Sequence, residues 1–407
     1  MRVLWLCTLL IFIVFDVSIS YAQGVQYLGS CGLPDSAKGI FVTDTIAYVA
    51  NYSYGLNVIN VADLTHPASI GHCDTPGNAQ DVKVSGDYAY IADLEGGLRV
   101  ADVSNPASPI LVGHFDTTGA CAISIDGAYA FVSFGWTGMY VFDISNPPNL
   151  NPYFNFMSPP SPIENIAPSG LYAYVACQLG GLEVFRWDWT FPIVVGIYDT
   201  PGEATDLMIS GDYCYLVDGY PLEIINISDP TNPTPVSSFD LGNASYDVFL
   251  SGNFAFVACG RGGLKVLNVS DPTNPTLAAS YDTPGISRGL YVNNNYVYLA
   301  DSDSLMIFQF SSTVPCSYTP GDINDNGSVN GVDIVYAVNY LKGVGNPPPV
   351  DCGSPAGPCP ESSPFYAAGD VNGNCAFNGI DITYFVRFLK LQVPTLLYCQ
   401  DCPPEGR

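Results

Sequence analysis

The chain has 407 residues, 48% hydrophobic and 12% charged, and carries 38 acidic against 12 basic side chains for a formal net charge of −26. That balance argues against nucleic acid and anionic membrane surfaces as partners, since both repel a polyanion. A chain this long exceeds one compact globule unless the globule is built from repeats.

The first element is MRVLWLCTLLIFIVFDVSISYAQG, in which Arg2 precedes an apolar run that ends at the small-x-small triplet Ser20-Tyr21-Ala22. This is the pattern of a secretory signal (1–22) cut near Ala22, and it predicts an exported, extracellular or cell-surface protein. No later run approaches the roughly 20 apolar residues of a membrane-spanning helix. Twelve cysteines follow the signal, six scattered before residue 315 and six crowded into the last 92 residues. Export favours disulfides among the crowded set, with a zinc site around Cys399 and Cys402 as the alternative. At least some of the scattered cysteines are expected to be free and buried, as Cys214 in a position otherwise held by Ala suggests.

From residue 23 to 310 the chain repeats. Ala47-Tyr48-Val49-Ala50 returns as AYIA at Ala89, AFVS at Ala130, AYVA at Ala173, CYLV at Cys214, AFVA at Ala255 and VYLA at Val297, at steps of 41 to 43 residues. Each unit holds three or four short β-rich runs separated by Ser-Gly, Gly-Gly and Asp-Pro turns. Seven units of this length with four strands apiece predict a seven-bladed β-propeller. Leu28-Gly29-Ser30-Cys31 matches Ile70-Gly71-His72-Cys73, an outermost strand, whereas the seventh unit stops at Phe310 without one. The N-terminal strand is therefore expected to complete the last blade and close the ring.

GLRVADVSNP, LEIINISDP and GLKVLNVSDP make the unit resemble the LVIVD repeat of bacterial surface and secreted proteins, over about 285 residues. The resemblance implies a propeller and no particular activity.

Catalytic groups are sparse here: three histidines, seven Lys and Arg, and no Ser-His-Asp set. Asp81, Asp206 and Asp247, with Asn165, begin the innermost strands. They either ring the central channel around a cation or satisfy backbone amides at the strand starts. One position earlier stand Lys38, Gln80, Glu164, Thr205, Tyr246 and Arg288, and this variability inside a regular motif marks the face expected to bind a ligand. The fourth unit is irregular, with FRWDWTFP in place of a turn and an aromatic, Pro-rich stretch before it. Trp136, Trp187 and Trp189, with Tyr153 and Phe156, either stack on sugar rings or fill a gap between blades.

After a linker (311–320), GDINDNGSVNGVDI and GDVNGNCAFNGIDI carry oxygen donors at calcium-loop spacing within 321–402, ahead of a short tail (403–407). The first set is Asp322, Asn324, Asn326, the Ser328 carbonyl, Asn330 and Asp333; the second is Asp370, Asn372, Asn374, the Ala376 carbonyl, Asn378 and Asp381. Alternating hard oxygen ligands of this kind bind calcium, so two sites are expected. Each loop runs into one helix, IVYAVNYLK or ITYFVRFLK, and such duplicated loop-helix units resemble type I dockerins. The resemblance implies a cohesin-like partner on a scaffold or cell surface, with Gly331-Val332 and Gly379-Ile380 at the partner-selecting positions. These pairs are small and apolar, unlike the usual hydroxyl pair, and Cys375 replaces the turn glycine of the second loop.

The expected fold class is mainly β: a seven-bladed propeller with a small α calcium-binding domain. The function read from the sequence is a secreted, non-catalytic binding module attached through a dockerin-like domain. The alternative is a polysaccharide-degrading hydrolase or lyase, or another component of a cellulosome-like complex.

Overall fold

A computed structural model describes residues 24–156, 161–187 and 192–311. The chain divides into two units, Met1–Phe310 and Ser311–Arg407, and the calcium loops, their helices and Trp189 lie outside the described residues.

Seven four-stranded antiparallel sheets make up the described part, as the repeat period predicts. Blade 2 is typical: Asp81–Ser85 is innermost, Tyr88–Ala92 and Leu98–Asp102 follow, and Ile110–Phe115 is outermost. The other blades span 40–73, 122–156, 165–198, 204–240 and 247–281, and the seventh joins 287–310 to Val25–Gly32. In blade 2's second strand Ala89, Tyr90, Ile91 and Ala92 are all fully buried, so both faces are covered. Two apolar faces on one strand require a sheet on either side. Seven apolar clusters supply that cover. Each joins two successive blades, from Tyr48, Val58 and Ile91 between blades 1 and 2 to Ile40, Val49, Tyr298 and Ile307 between blades 1 and 7.

The sequence Asp-Thr-Pro-Gly recurs at Asp74, Asp199 and Asp282, ahead of three blades, and has a structural role there. Asp93 accepts hydrogen bonds from Thr75 Oγ1 at 2.5 Å and Gly77 N at 2.8 Å. Asp218 takes the same bonds from Thr200 and Gly202, and Asp301 from Thr283 and Gly285. All three carboxylates are buried, so each ties the loop entering a blade to that blade's own second strand. The Asp-Pro turns behave as expected: Asp229 and Asp271 each accept from the backbone N–H and hydroxyl of the Thr two residues on.

Closure follows the sequence match. Val25–Gly32 pairs antiparallel with Ser304–Phe310, setting Cys31 opposite Leu305 and Ser30 opposite Met306, and the register skips Leu28. Blade 1's outermost strand likewise skips Ile70, and blade 2's skips Val112. The glycine after each bulge lies against the next blade's turn: a Cβ on Gly29 would fall 2.6 Å from the Leu64 carbonyl oxygen, and one on Gly71 would collide with that of Pro106. This contact explains why Leu28-Gly29 reads like Ile70-Gly71.

Candidate functional site

The innermost strands surround a central channel of about 830 Å³, lined by residues of all seven blades. Their first residues stand at one end, the entrance.

At that end Asp81 accepts from Ile123 N at 2.9 Å, Asp206 from Val248 N at 2.6 Å and Asp247 from Leu290 N at 2.6 Å. Each carboxylate thus joins its blade to the next. Asn165 Nδ2 in turn donates to Asp206 Oδ1. Of the two expectations for these acids, satisfaction of backbone amides is the one observed, and no metal-holding cluster of His, Cys, Asp or Glu occurs among the described residues.

Burial, the neighbouring Asp247 charge and the hydrogen bond between the two carboxyls raise Asp206 well above the ordinary carboxylate range. Asp247 is raised too, chiefly by burial, but accepting the Asp206 proton and facing Lys83 hold it lower. Of the two, Asp206 is the one held more firmly toward its protonated form. Lys83, 2.9 Å from Asp81, stands among these acids in the channel; burial works against its charge, but Asp81, Asp247 and Asp206 raise it overall. A carboxyl with a raised folded pKa holds its proton more tightly when folded, so its contribution to stability is lost as pH rises from about 4 toward that pKa. Asp206→Asn, which mimics the protonated acid, is expected to flatten this pH dependence and be at least as stable as the parent at neutral pH. Asp206→Ala, which orphans the Val248 amide, should cost about 1–3 kcal/mol. Thermal melts across pH 4 to 8 check both.

The residues one position earlier form the entrance itself, and they segregate by charge. On blades 1 and 7 Lys38 lies 5.1 Å from the Tyr52 ring centre and Arg288 lies 4.7 Å from that of Tyr246. Gly289 has no room for a Cβ against the Lys38 carbonyl, so the two cations arrive on closely abutting backbones. Burial and the Arg288 charge lower the Lys38 ammonium. On blades 4 and 5 stand Glu164 and Glu203. Glu164 is raised by burial first and by Glu203 besides, against a 2.5 Å hydrogen bond donated by Gln178. Gln80 donates to the Asn78 carbonyl at 3.1 Å, and Thr205 to that of Ser245 at 3.3 Å. In blade 3 the same position is Cys121, whose thiol burial pushes up to about 11, so it is protonated.

The entrance rim is apolar on one side. Trp136 follows Gly135, which bridges to Ile163 beside Glu164; Leu179 follows Gln178, which bridges to Ala204 beside Glu203. Tyr220 follows Gly219, whose carbonyl accepts from Ser245 N beside Tyr246. The three side chains are 72%, 69% and 61% exposed.

Trp187 corrects the stacking expectation. It is 6% exposed, meets Phe131 and Tyr129 edge-on at 5.1 and 5.9 Å, and its backbone N–H donates to the Leu171 carbonyl at the far end of blade 4 from the entrance. It fills the gap between blades 3 and 4 and shares no face with Trp136, and it occupies the place of Val103, Ile144 and Ile227, which are buried in their own blades. Tyr153 stands 6.2 Å from Tyr129, edge-on. Trp187→Ala is expected to lose about 3–5 kcal/mol while Trp136→Ala stays within about 0.5 kcal/mol, as chemical denaturation can measure.

The sequence pointed to Lys38, Gln80, Glu164, Tyr246 and Arg288, which line the channel, and to Trp136 on the rim, but not to Lys83, Glu203, Leu179 or Tyr220. Lys83 interrupts an otherwise apolar strand, a signal that was available. The rim lies in loops of no fixed composition. All six cysteines among the described residues are free.

The LVIVD repeat profile matches residues 34–75, 76–117, 119–158, 163–185, 201–241, 242–283 and 284–311, one match to each blade. The chain belongs to the LVIVD repeat family. A second profile, the dockerin type I domain, matches 320–390. Dockerin domains of this type bind calcium and dock on cohesins. No curated protein matches the chain. Solved structures similar to the LVIVD propeller include the computationally designed Ika8 protein (11% identity, 70% of this chain and 100% of that one, TM-score 0.51). A chain of the mitotic checkpoint complex matches at 11% identity, over 70% and 96%, with a TM-score of 0.58. BamB from Moraxella catarrhalis matches at 14%, over 70% and 98%, with a TM-score of 0.50. At such identities the likeness shows the propeller fold alone.

Proposed function

We propose that the protein is an exported, non-catalytic binding module: the propeller takes a ligand at its channel entrance, and the dockerin domain fixes it to a scaffold or cell surface through a cohesin-like partner. The observation that carries this reading is the charged and aromatic entrance on a closed LVIVD ring, joined in one chain to a dockerin. The signal-like first 22 residues support export.

Asp322, Asn324, Asn326, Ser328, Asn330 and Asp333 would hold one calcium ion, and Asp370, Asn372, Asn374, Ala376, Asn378 and Asp381 a second. The donor chemistry fits, since every ligand is a hard oxygen and each loop brings two carboxylates. Calcium would neutralise those carboxylates and fix the loop against its helix. Gly331, Val332, Gly379 and Ile380 would then face the cohesin.

A second reading, polysaccharide hydrolysis, has one observation in its favour: Glu164 and Glu203 lie within electrostatic reach of each other, near exposed Trp136. Paired carboxylates are what glycoside cleavage needs. Incubating the full chain with a polysaccharide panel and assaying reducing ends separates the readings. The binding module yields none, whereas release that Glu164→Gln abolishes would establish the hydrolase.

A further inference from the structure

We infer that the entrance holds an extended segment of another polypeptide, with an acidic group of that segment at Lys38 and Arg288 and a basic one at Glu164 and Glu203. This rests on the reading of the entrance as the propeller's binding site, and it names the ligand class.

The cations carry the first step. Only seven Lys and Arg stand in the acidic propeller sequence, against 28 carboxylates, yet two of them are side by side at this entrance. Neither takes part in the ion pairs found among the described residues, although the Asp35 charge reaches Lys38 and partly offsets the lowering by Arg288. Each instead lies over a tyrosine ring, 5.1 and 4.7 Å from its centre. Two half-buried like charges repel and are partly desolvated, a combination that an incoming carboxylate relieves.

The carboxylates opposite carry the second step. Glu164 and Glu203 face the same channel and would repel a polyanion such as an acidic glycan or a nucleotide. Their presence selects a ligand bearing both signs. The apolar rim carries the third. Trp136 and Leu179 stand exposed on neighbouring loops beside those carboxylates and are not among the residues lining the channel, so a ligand that touches them extends out of it. Mixed charge, apolar contact and length together describe a peptide segment, and a largely pre-formed cavity of this size is within the range that binds ligands.

Calorimetry with the full chain in calcium tests this. The probes are acetylated, amidated peptides with Lys at one end, Glu at the other, and three to seven Gly and Ser residues between, compared with Lys/Lys and Glu/Glu peptides of equal length. The mixed-charge peptide of best length is expected to bind about tenfold or more tighter than either same-charge peptide, a difference of about 1.4 kcal/mol. Arg288→Ala and Glu164→Gln should each weaken it about tenfold with an unchanged melting temperature, which separates ligand loss from unfolding. Equal or tighter binding of the Lys/Lys peptide would reduce the effect to bulk charge and overturn the inference. So would failure of every peptide; if a polysaccharide then bound the entrance, the binding-module reading would stand without this ligand class.

Discussion

A chain lacking Val25–Gly32 is expected to lose the cooperative unfolding of the whole ring rather than the order of one edge. That strand pairs with Ser304–Phe310 along its length, and its Val25 and Leu28 pack into the two clusters that join blade 7 to blades 6 and 1. Removing it exposes Met306 and Phe308 and breaks the lock between the first and last strands of the ring. The loss should exceed about 4 kcal/mol, a size reserved for core or network disruption. Because blades contact only their neighbours, the ring's unity depends on this closure. Hydrogen exchange in Tyr172–Cys177, the second strand of blade 4 on the other side of the ring, is the informative readout. Protection lost there together with blade 7 supports a ring that unfolds as one. Unchanged protection in blade 4 would mean that the blades behave as an open array. Gly29→Val offers a gentler version that still folds: its side chain meets the Leu64 carbonyl, and overpacking of that kind costs about 1–3 kcal/mol.

The second large effect concerns calcium. Asp322→Ala removes one of two carboxylates from the first loop's ligand set, and Asp370→Ala does the same in the second. Each is expected to weaken its own site about tenfold or more, since charge count and site rigidity set calcium affinity. Calorimetric titration should give two ions bound for the parent, one for each single variant and none for the double variant over the same calcium range. The second site should be the weaker in the parent, because Cys375 stands where a glycine makes the sharp turn, and Cys375→Gly should tighten it. The propeller's melting temperature should not move in any of these variants. The near identity of the two loop-helix units suggests that either can face the partner. Single changes at Val332 or Ile380 would then be partly masked, and the double change would not.

Much of the propeller was legible in the sequence because a repeat reports its own architecture. The 41- to 43-residue step gave the blades, and the missing outer strand after Phe310 gave the closure, since a bulge and a close-packed glycine leave the same Leu-Gly or Ile-Gly trace wherever they occur. The entrance was legible as a set of positions but not as a site. Lys38 and Arg288 are 250 residues apart in the chain and become neighbours only because the ring closes between blades 1 and 7. The raised carboxyls of Asp206 and Asp247 have the same origin: each residue repeats a structural motif, and adjacency of blades 5 and 6 with burial couples them. Trp187 was ambiguous because a large aromatic in an irregular unit fits a packing role and a stacking role alike, and burial against Phe131 decided between them.

The most direct test of the account as a whole is retention of the full chain on an immobilised cohesin panel, in millimolar calcium and again in excess chelator, with the mixed-charge peptide carried in solution. The account predicts calcium-dependent capture by at least one cohesin, release on chelation, and a propeller that keeps its peptide in both conditions. Capture that survives chelation would contradict attachment through the calcium loops.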